Sequence, residues 1–278
     1  MLDVGLFKKD ISIIATLGLG VVPLSSVRHA LLCAAAGLAW PDGLRADERE
    51  EVRTVLFGSL DAGRSTFVSA GGKFAPDGYG RDGLAALATF GYGLRTERDW
   101  WGDPRGQAGG APPRVLRHTV QGGAVAGWQW VRDWGIAALF AGPEIAFEVL
   151  DSPATRRLPA PRIGARVQGE LWARPTEATL LTATLIAGTA RGSAWGRVAW
   201  GVRLPAPVLG DGYVGPEAAL YADRTGYRKW SLGLHATDLA LPFEGVAPVR
   251  LRVSAGWAYE EQIRRPGVYG ALSAWLPL

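Results

Sequence analysis

The sequence has very little cysteine, histidine or lysine, and each scarcity removes a class of function. The one cysteine, Cys33, lies in an apolar N-terminal region. If that region is cleaved, no thiol remains, which excludes disulfide staples and thiolate metal sites and suits an oxidising envelope compartment. Leu31-Leu32 precede Cys33 where a lipoprotein signal wants a small residue. The three histidines (His29, His118, His235) are too dispersed to supply a metal site, and no cofactor is expected. Only four of the 30 cationic residues are lysine, the net charge is +4, and no basic stretch with interleaved aromatics exists. Nucleic-acid binding is therefore excluded as a working reading. After residue 46 there is no amphipathic helical stretch and no long apolar run, although 48% of residues are hydrophobic.

What the chain has is 38 glycines, 12 tryptophans and short alternating segments. Glycine suits crowded or sharply turning strands, and tryptophan favours membrane–water interfaces. From Ile163, the odd positions read Ile163, Ala165, Val167, Gly169, Leu171 and Ala173. The even ones read Gly164, Arg166, Gln168, Glu170, Trp172 and Arg174. Val249 to Glu260 repeats the pattern. A period of two over a dozen residues cannot be a helix face.

The same test gives 12 strands, at about 52–61, 65–75, 83–95, 117–131, 135–150, 163–175, 178–190, 193–205, 209–223, 226–240, 247–261 and 266–278. Most reach the roughly 9–11 residues that a tilted strand needs to cross a bilayer. The outward centres carry almost no charge: Val214, Pro216, Ala218, Leu220 and Ala222 in the ninth, Trp230, Leu232, Leu234 and Ala236 in the tenth. A soluble barrel would be polar there. The expected fold is an all-β, transmembrane, antiparallel up-and-down β-barrel over residues 47–278, with outer-membrane lipid as its surroundings.

Residues 1–46 are read as a signal or export segment. They hold two apolar runs, Ile11 to Val27 and Ala30 to Trp40, separated by Arg28-His29. Each is too short or interrupted for a comfortable spanning helix. The second has signal-peptide anatomy: a basic Arg28, an apolar LLCAAAGLAW, then Pro41-Asp42-Gly43. The first is consistent with upstream sequence ahead of a start near Val22 or Val27. A membrane anchor before a soluble domain is the alternative reading.

With the N-terminus in the periplasm, the longest connections, about 96–116 and 151–162, fall outside. Those near Arg132-Asp133 and Pro175-Thr176-Glu177 are tight and periplasmic, the usual asymmetry. Trp128, Trp130 and Trp134 gather at one such turn, as an aromatic girdle requires. The last segment puts Val268, Gly270, Leu272, Ala274, Leu276 and Leu278 on one face. It resembles the C-terminal assembly signal of outer-membrane barrels, with Leu278 where an aromatic is usual.

Motifs that suggest chemistry have plainer explanations. Gly78, Gly80 and Gly83 spell a GxGxxG, but the following residues alternate as a strand instead of opening a helix, so the glycines belong to a turn. Ser231 and His235 share the inward face. Four residues along a strand separate them by about 13 Å, too far for a nucleophile and its base. No catalytic residue is assigned, and an enzyme is not expected. Inward charges are more informative: Glu144 and Glu148, Arg166 and Glu170, Arg197 and Arg203, Glu217 and Asp223, Arg250 and Arg252. Inside a narrow barrel such groups must pair or stay hydrated. Two readings stand: a salt-bridged plug, or a polar pathway or glycan-binding wall.

Gly142-Pro143-Glu144 and Gly215-Pro216-Glu217 repeat one phrase, with proline outward and glutamate inward. The second begins VGPEAALYADRTGYRKWSLGLHATDLALP, where Asp223 and Tyr227 follow the GPE. Together with VLFGSLDAGRSTFVSAGGKFAPDG and GWAYEEQIRRPGVYGALSAWLPL, it resembles the BcsS-type cellulose-biosynthesis accessory family across residues 52–278. Members are secreted envelope proteins of α-proteobacteria. The resemblance brings no catalytic residues. It implies a role in exopolysaccharide production or export, with β-glucan or the cellulose-synthesis machinery as partner. Trp100 and Trp101, in the longest outer loop, are candidate glycan contacts. A small diffusion channel and a lipid-modifying barrel enzyme are the alternatives.

Overall fold

A computed structural model describes residues 52–98, 114–151, 156–157, 160–206, 210–243 and 246–278. The expected export segment 1–46, Cys33, His29, Trp100 and Trp101 lie outside the described residues.

The described chain is all strand and turn. In order the strands are β1 (Thr54–Ala62), β2 (Ser65–Phe74), β3 (Gly83–Arg98), β4 (Arg114–Arg132), β5 (Gly135–Asp151), a two-residue β6 (Arg156–Arg157), β7 (Arg162–Thr176), β8 (Thr179–Gly188), β9 (Ser193–Ala206), β10 (Gly210–Asp223), β11 (Arg228–Phe243), β12 (Val246–Glu260) and β13 (Arg265–Pro277). Each long strand pairs antiparallel with its chain neighbours, and β1 pairs with β13 from Val55–Pro277 to Ala62–Gly270. The sheet therefore closes on itself as a barrel of 12 long strands. β6 is an addition to the edge of β5 that alternation did not anticipate.

Closure leaves no unpaired edge, the condition for crossing hydrocarbon with strands. The outer face meets the other condition. Ile163, Trp257, Leu232, Val268 and Leu234 are each more than 60% exposed, and outward positions of the mid-strand regions are apolar or small. In water so large an apolar belt would be an aggregation surface; in lipid it is the solvation layer. Trp128, Trp130 and Trp134 are exposed around the β4–β5 turn, as a girdle requires.

Two local departures from strict alternation have physical causes. Near the end of β7, the pairing with β8 slips between Ala173 and Thr176. Ala173, expected outward, is buried, and Arg174, expected inward, is exposed at the rim. In β11 a bulge falls between Thr237 and Leu239, with Asp238 at φ 67°. Aspartate tolerates this left-handed conformation better than most residues, and the extra residue turns its carboxylate toward Arg250.

The GxGxxG glycines lie in the β2–β3 connection and at the start of β3, confirming a turn. Gly78 has φ 83° and donates to Ala75 O at 3.0 Å. Gln129, fully buried, donates through Nε2 to the carbonyls of Gly78 and Arg81, both at 2.8 Å. This ties the connection to β4. Inside that end, Ala75, Ala85, Leu87, Val125, Ala138 and Phe140 form an apolar core, with Phe57 and Tyr79 against it.

Candidate functional site

The GPE phrases show how sequence positions the lumen side chains. Proline has no N–H, so it cannot donate to a ladder. The β4–β5 pairing accordingly skips from Gly123–Glu144 to Ala126–Ala141, and the β9–β10 pairing from Val202–Val214 to Ala199–Glu217. On the other side of each proline the ladder is unbroken: Pro143 sits opposite Ala165, and Pro216 opposite Leu234. The preceding glycines face inward where the neighbouring strand comes closest. A Cβ on Gly142 would lie 2.4 Å from Ala124 O, and one on Gly215 would lie 2.1 Å from Trp200 O. Only glycine fits either place.

Each glycine also lets a longer side chain cross over it. His235 stands opposite Gly215, and Arg166 stands opposite Gly142. His235 Nε2 donates to the Trp200 carbonyl at 3.2 Å, and its Nδ1 accepts from the Thr237 hydroxyl at 2.7 Å. Trp200 lies across from Pro216, which offers no N–H, so the imidazole supplies a donor there. Arg166 reaches over Gly142 to donate to Thr89 Oγ1 at 2.8 Å. Ser231 Oγ donates to Ala219 O. Ser231 and His235 thus have separate partners, and no nucleophile–base pair is formed by them.

The lumen charges meet in three levels. At the outer end, Asp223 takes Arg95 Nη1 at 2.7 Å and Arg191 Nη2 at 3.3 Å, and Tyr221 donates to it at 3.1 Å. Arg191 also bridges to Glu148 at 3.0 Å, and Glu148 takes Arg117 and Arg162 at 3.3 and 3.1 Å. The Arg95 guanidinium stacks 4.3 Å from the Tyr227 ring. In the middle, Glu217 accepts from Arg252, from Ser254 at 3.0 Å and from Tyr269 at 2.8 Å. Arg252 also donates to Thr182 at 3.1 Å. Toward the inner end, Lys73 bonds Glu170 at 3.1 Å, and Trp172 meets Trp275 edge-on with centroids 5.8 Å apart.

Several of these contacts join opposite walls. β3 and β10 lie six strands apart in the ring, as do β7 and β13, yet Arg95–Asp223 and Trp172–Trp275 touch. A circular 12-strand cylinder would hold its backbones about 24 Å apart. An extended arginine hydrogen-bonded to an aspartate spans only about 13 Å from Cα to Cα. The barrel is therefore pinched where these two pairs meet, at its outer and inner ends.

The expected lumen residues are not all alike. Glu148, Arg166, Glu217, Asp223 and Arg252 are buried in this network. Glu170 joins it through Lys73 and Gln168. Glu144 accepts instead from the Ala190 backbone N at 2.8 Å, bracing the β8–β9 turn. Arg197 lies 5.5 Å from the Trp195 ring. Arg203 is exposed near the inner mouth, and Arg250 pairs with Asp238 at 3.0 Å there. Arg95, Arg191, Tyr221 and Tyr269 were not singled out from sequence. Arg95 and Tyr269 lie on inward positions of their strands, so the alternation rule would have included them; Arg191 sits in a turn, where alternation gives no signal.

Outside the bilayer, the turn carboxylate Asp82 is held below its ordinary range. It accepts from Val131 N at 2.6 Å and, through both oxygens, from Arg132 Nη1 at 2.9 Å. Burial, together with the nearby Glu170 charge, pushes the Tyr79 hydroxyl above its usual range. No group of three or more His, Cys, Asp or Glu that could hold a metal occurs among the described residues.

A closed strand cylinder with an apolar exterior and a packed polar interior defines an outer-membrane β-barrel. Residues 55–278 match the family described as cellulose biosynthesis protein BcsS, and the chain belongs to that family. No curated protein matches it. Among solved structures, it is similar to the translocator domain of autotransporter NalP from Neisseria meningitidis at 13% identity, covering 92% of this chain and 96% of that one, with a TM-score of 0.44. The β domain of the Bordetella autotransporter BrkA gives 16% identity, coverage of 82% and 100%, and a TM-score of 0.41. The transport unit of AIDA-I from Escherichia coli gives 9%, 90% and 97%, and 0.41. Nothing about this chain's activity follows from these three.

Proposed function

We propose that this protein is a non-enzymatic accessory to cellulose or related exopolysaccharide production, acting at the outer membrane as an anchor or support for β-glucan and not as its conduit. The family membership supplies the biological setting. The observation that favours an anchor is contact across the lumen: Arg95–Asp223 and Trp172–Trp275 join strands six apart in the ring, and Arg252–Thr182 joins strands four apart. Contacts that cross the lumen stand in the path a glucan chain would take. Glucan contact then falls to the outer loops, where Trp100 and Trp101 offer rings to stack on the apolar faces of sugars. The separate partners of Ser231 and His235 argue against a lipid-modifying enzyme, and the contacts across the lumen argue against a diffusion channel. Export by the N-terminal segment completes the reading.

Deleting the gene should lower surface cellulose while leaving synthase protein at its normal level. Re-expression of a Trp100→Ala/Trp101→Ala variant should restore a folded barrel without restoring full cellulose retention. Unchanged surface cellulose in the deletion strain would remove the assignment.

A further inference from the structure

Between the outer and middle levels of the lumen, hydrogen-bond donors collect without acceptors. Arg197 stands on β9 opposite Ala219 of β10, and Ala219 lies between Glu217 and Asp223 along its strand. Arg197 is half-buried and makes no hydrogen bond or ion pair among the described residues. Its guanidinium lies 5.5 Å from the ring of Trp195, the next inward residue of β9. Trp195 is also half-buried, and its indole N–H has no acceptor among the described residues. Thr184, opposite Arg197 on β8, makes no hydrogen bond among them either. Ser231, opposite Ala219 on β11, reaches only Ala219 O, at 3.5 Å.

The carboxylates that could neutralise Arg197 are committed elsewhere. Glu217 and Asp61 are the acidic groups whose charge acts on it, and Arg252 adds a like charge. Glu217 already accepts from Arg252, Ser254 and Tyr269, and Asp61 takes Lys229 at 2.8 Å. Other lumen arginines are served directly: Arg95, Arg191 and Arg252 each hold a carboxylate. A guanidinium enclosed by the barrel without an acceptor or a counter-charge is costly. Its neighbours do not relieve it, because an indole N–H can only donate.

The missing partner must therefore accept hydrogen bonds and carry negative charge. Water meets the first need and not the second. Guanidinium presents paired N–H donors that match two oxygens of one planar oxyanion. The contacts Arg95–Asp223 on one side and Trp172–Trp275 on the other narrow the lumen, which selects a small ion over a polymer. We propose that the lumen holds a small oxyanion of carboxylate size on Arg197, with the Trp195 indole N–H and the Thr184 hydroxyl as further donors. The site rests on this donor cluster and not on any role in cellulose production.

The full chain is refolded into neutral lipid vesicles and unfolded in urea, with the folded fraction read from heat-modifiable gel mobility. Formate is the probe. It replaces a bulky sulfonate, 2-morpholinoethanesulfonate, at constant ionic strength, so that screening does not change. A site with a dissociation constant of about 10 mM would shift the wild-type folding equilibrium roughly tenfold at about 100 mM formate. Arg197→Gln should respond less than about twofold, and without formate it should be at least as stable as the wild type, because it removes an unpaired charge. Trp195→Phe keeps the ring and the cation but removes one donor, so its response should need severalfold more formate. Arg197→Lys keeps the charge and should keep a weakened response, which separates loss of the site from loss of fold. Arg264→Gln, at an exposed turn, should respond as the wild type does. A wild-type response below about twofold, an equal response in Arg197→Gln, or no response in a folded Arg197→Lys would each overturn the proposal.

Discussion

Removing the Glu217 carboxylate should destabilise the barrel by an amount set by what it leaves behind. Glu217 is 6% exposed and accepts from three donors, and its principal partner Arg252 is 3% exposed. In Glu217→Ala, Arg252 would keep only the hydroxyls of Thr182 and Ser254. An uncompensated buried cation costs about 3–5 kcal/mol. A loss near 4 kcal/mol shifts the folding equilibrium by roughly a thousandfold. If the charge left behind is the cause, then removing both charges must cost less than removing one. Glu217→Leu/Arg252→Met should therefore recover at least about 2 kcal/mol relative to the sum of the single variants. Urea unfolding in lipid vesicles, with the folded fraction read as the heat-modifiable gel band, measures all of these on one scale. A single-variant loss below about 1 kcal/mol, or strict additivity in the double variant, would refute the view that a desolvated ion pair organises the middle of the lumen.

Three further outcomes follow from other parts of the barrel. The wild type should be silent in planar-bilayer conductance, and Trp172→Ala/Trp275→Ala combined with Arg95→Ala should produce ion conduction by clearing contacts at two levels. Gly215→Ala should lower folding yield severely, because its Cβ would lie 2.1 Å from a backbone oxygen that the closed barrel cannot move. The Asp82 carboxyl is depressed in the folded state, so its contribution is present above the unfolded carboxyl range and is lost as pH falls through the lower folded value. Amide exchange at Val131, corrected for intrinsic rates, should accelerate over that acid interval in the wild type, and Asp82→Asn should remove the pH dependence.

The period-two alternation determined most of this architecture without help. It placed 12 strands within a few residues of their observed ends, assigned the lipid-facing positions and put Pro143 and Pro216 outward with Glu144 and Glu217 inward. Facing is a local property of a pleated strand, so a short window of sequence carries it. The slip near Ala173 and the bulge at Asp238 escaped that rule because they arise from pairing with neighbours, not from the strand itself. Partnership across the lumen was likewise beyond the sequence. Arg95 and Asp223 are 128 residues apart, and Lys73 and Glu170 are 97 apart. Which inward groups meet depends on how the registers of all 12 strands accumulate around the ring, and on how far the closed cylinder is pinched. Neither quantity resides in any one segment. The sequence therefore defined which residues face the interior, and closure of the barrel decided which of them meet, some of them across its full width.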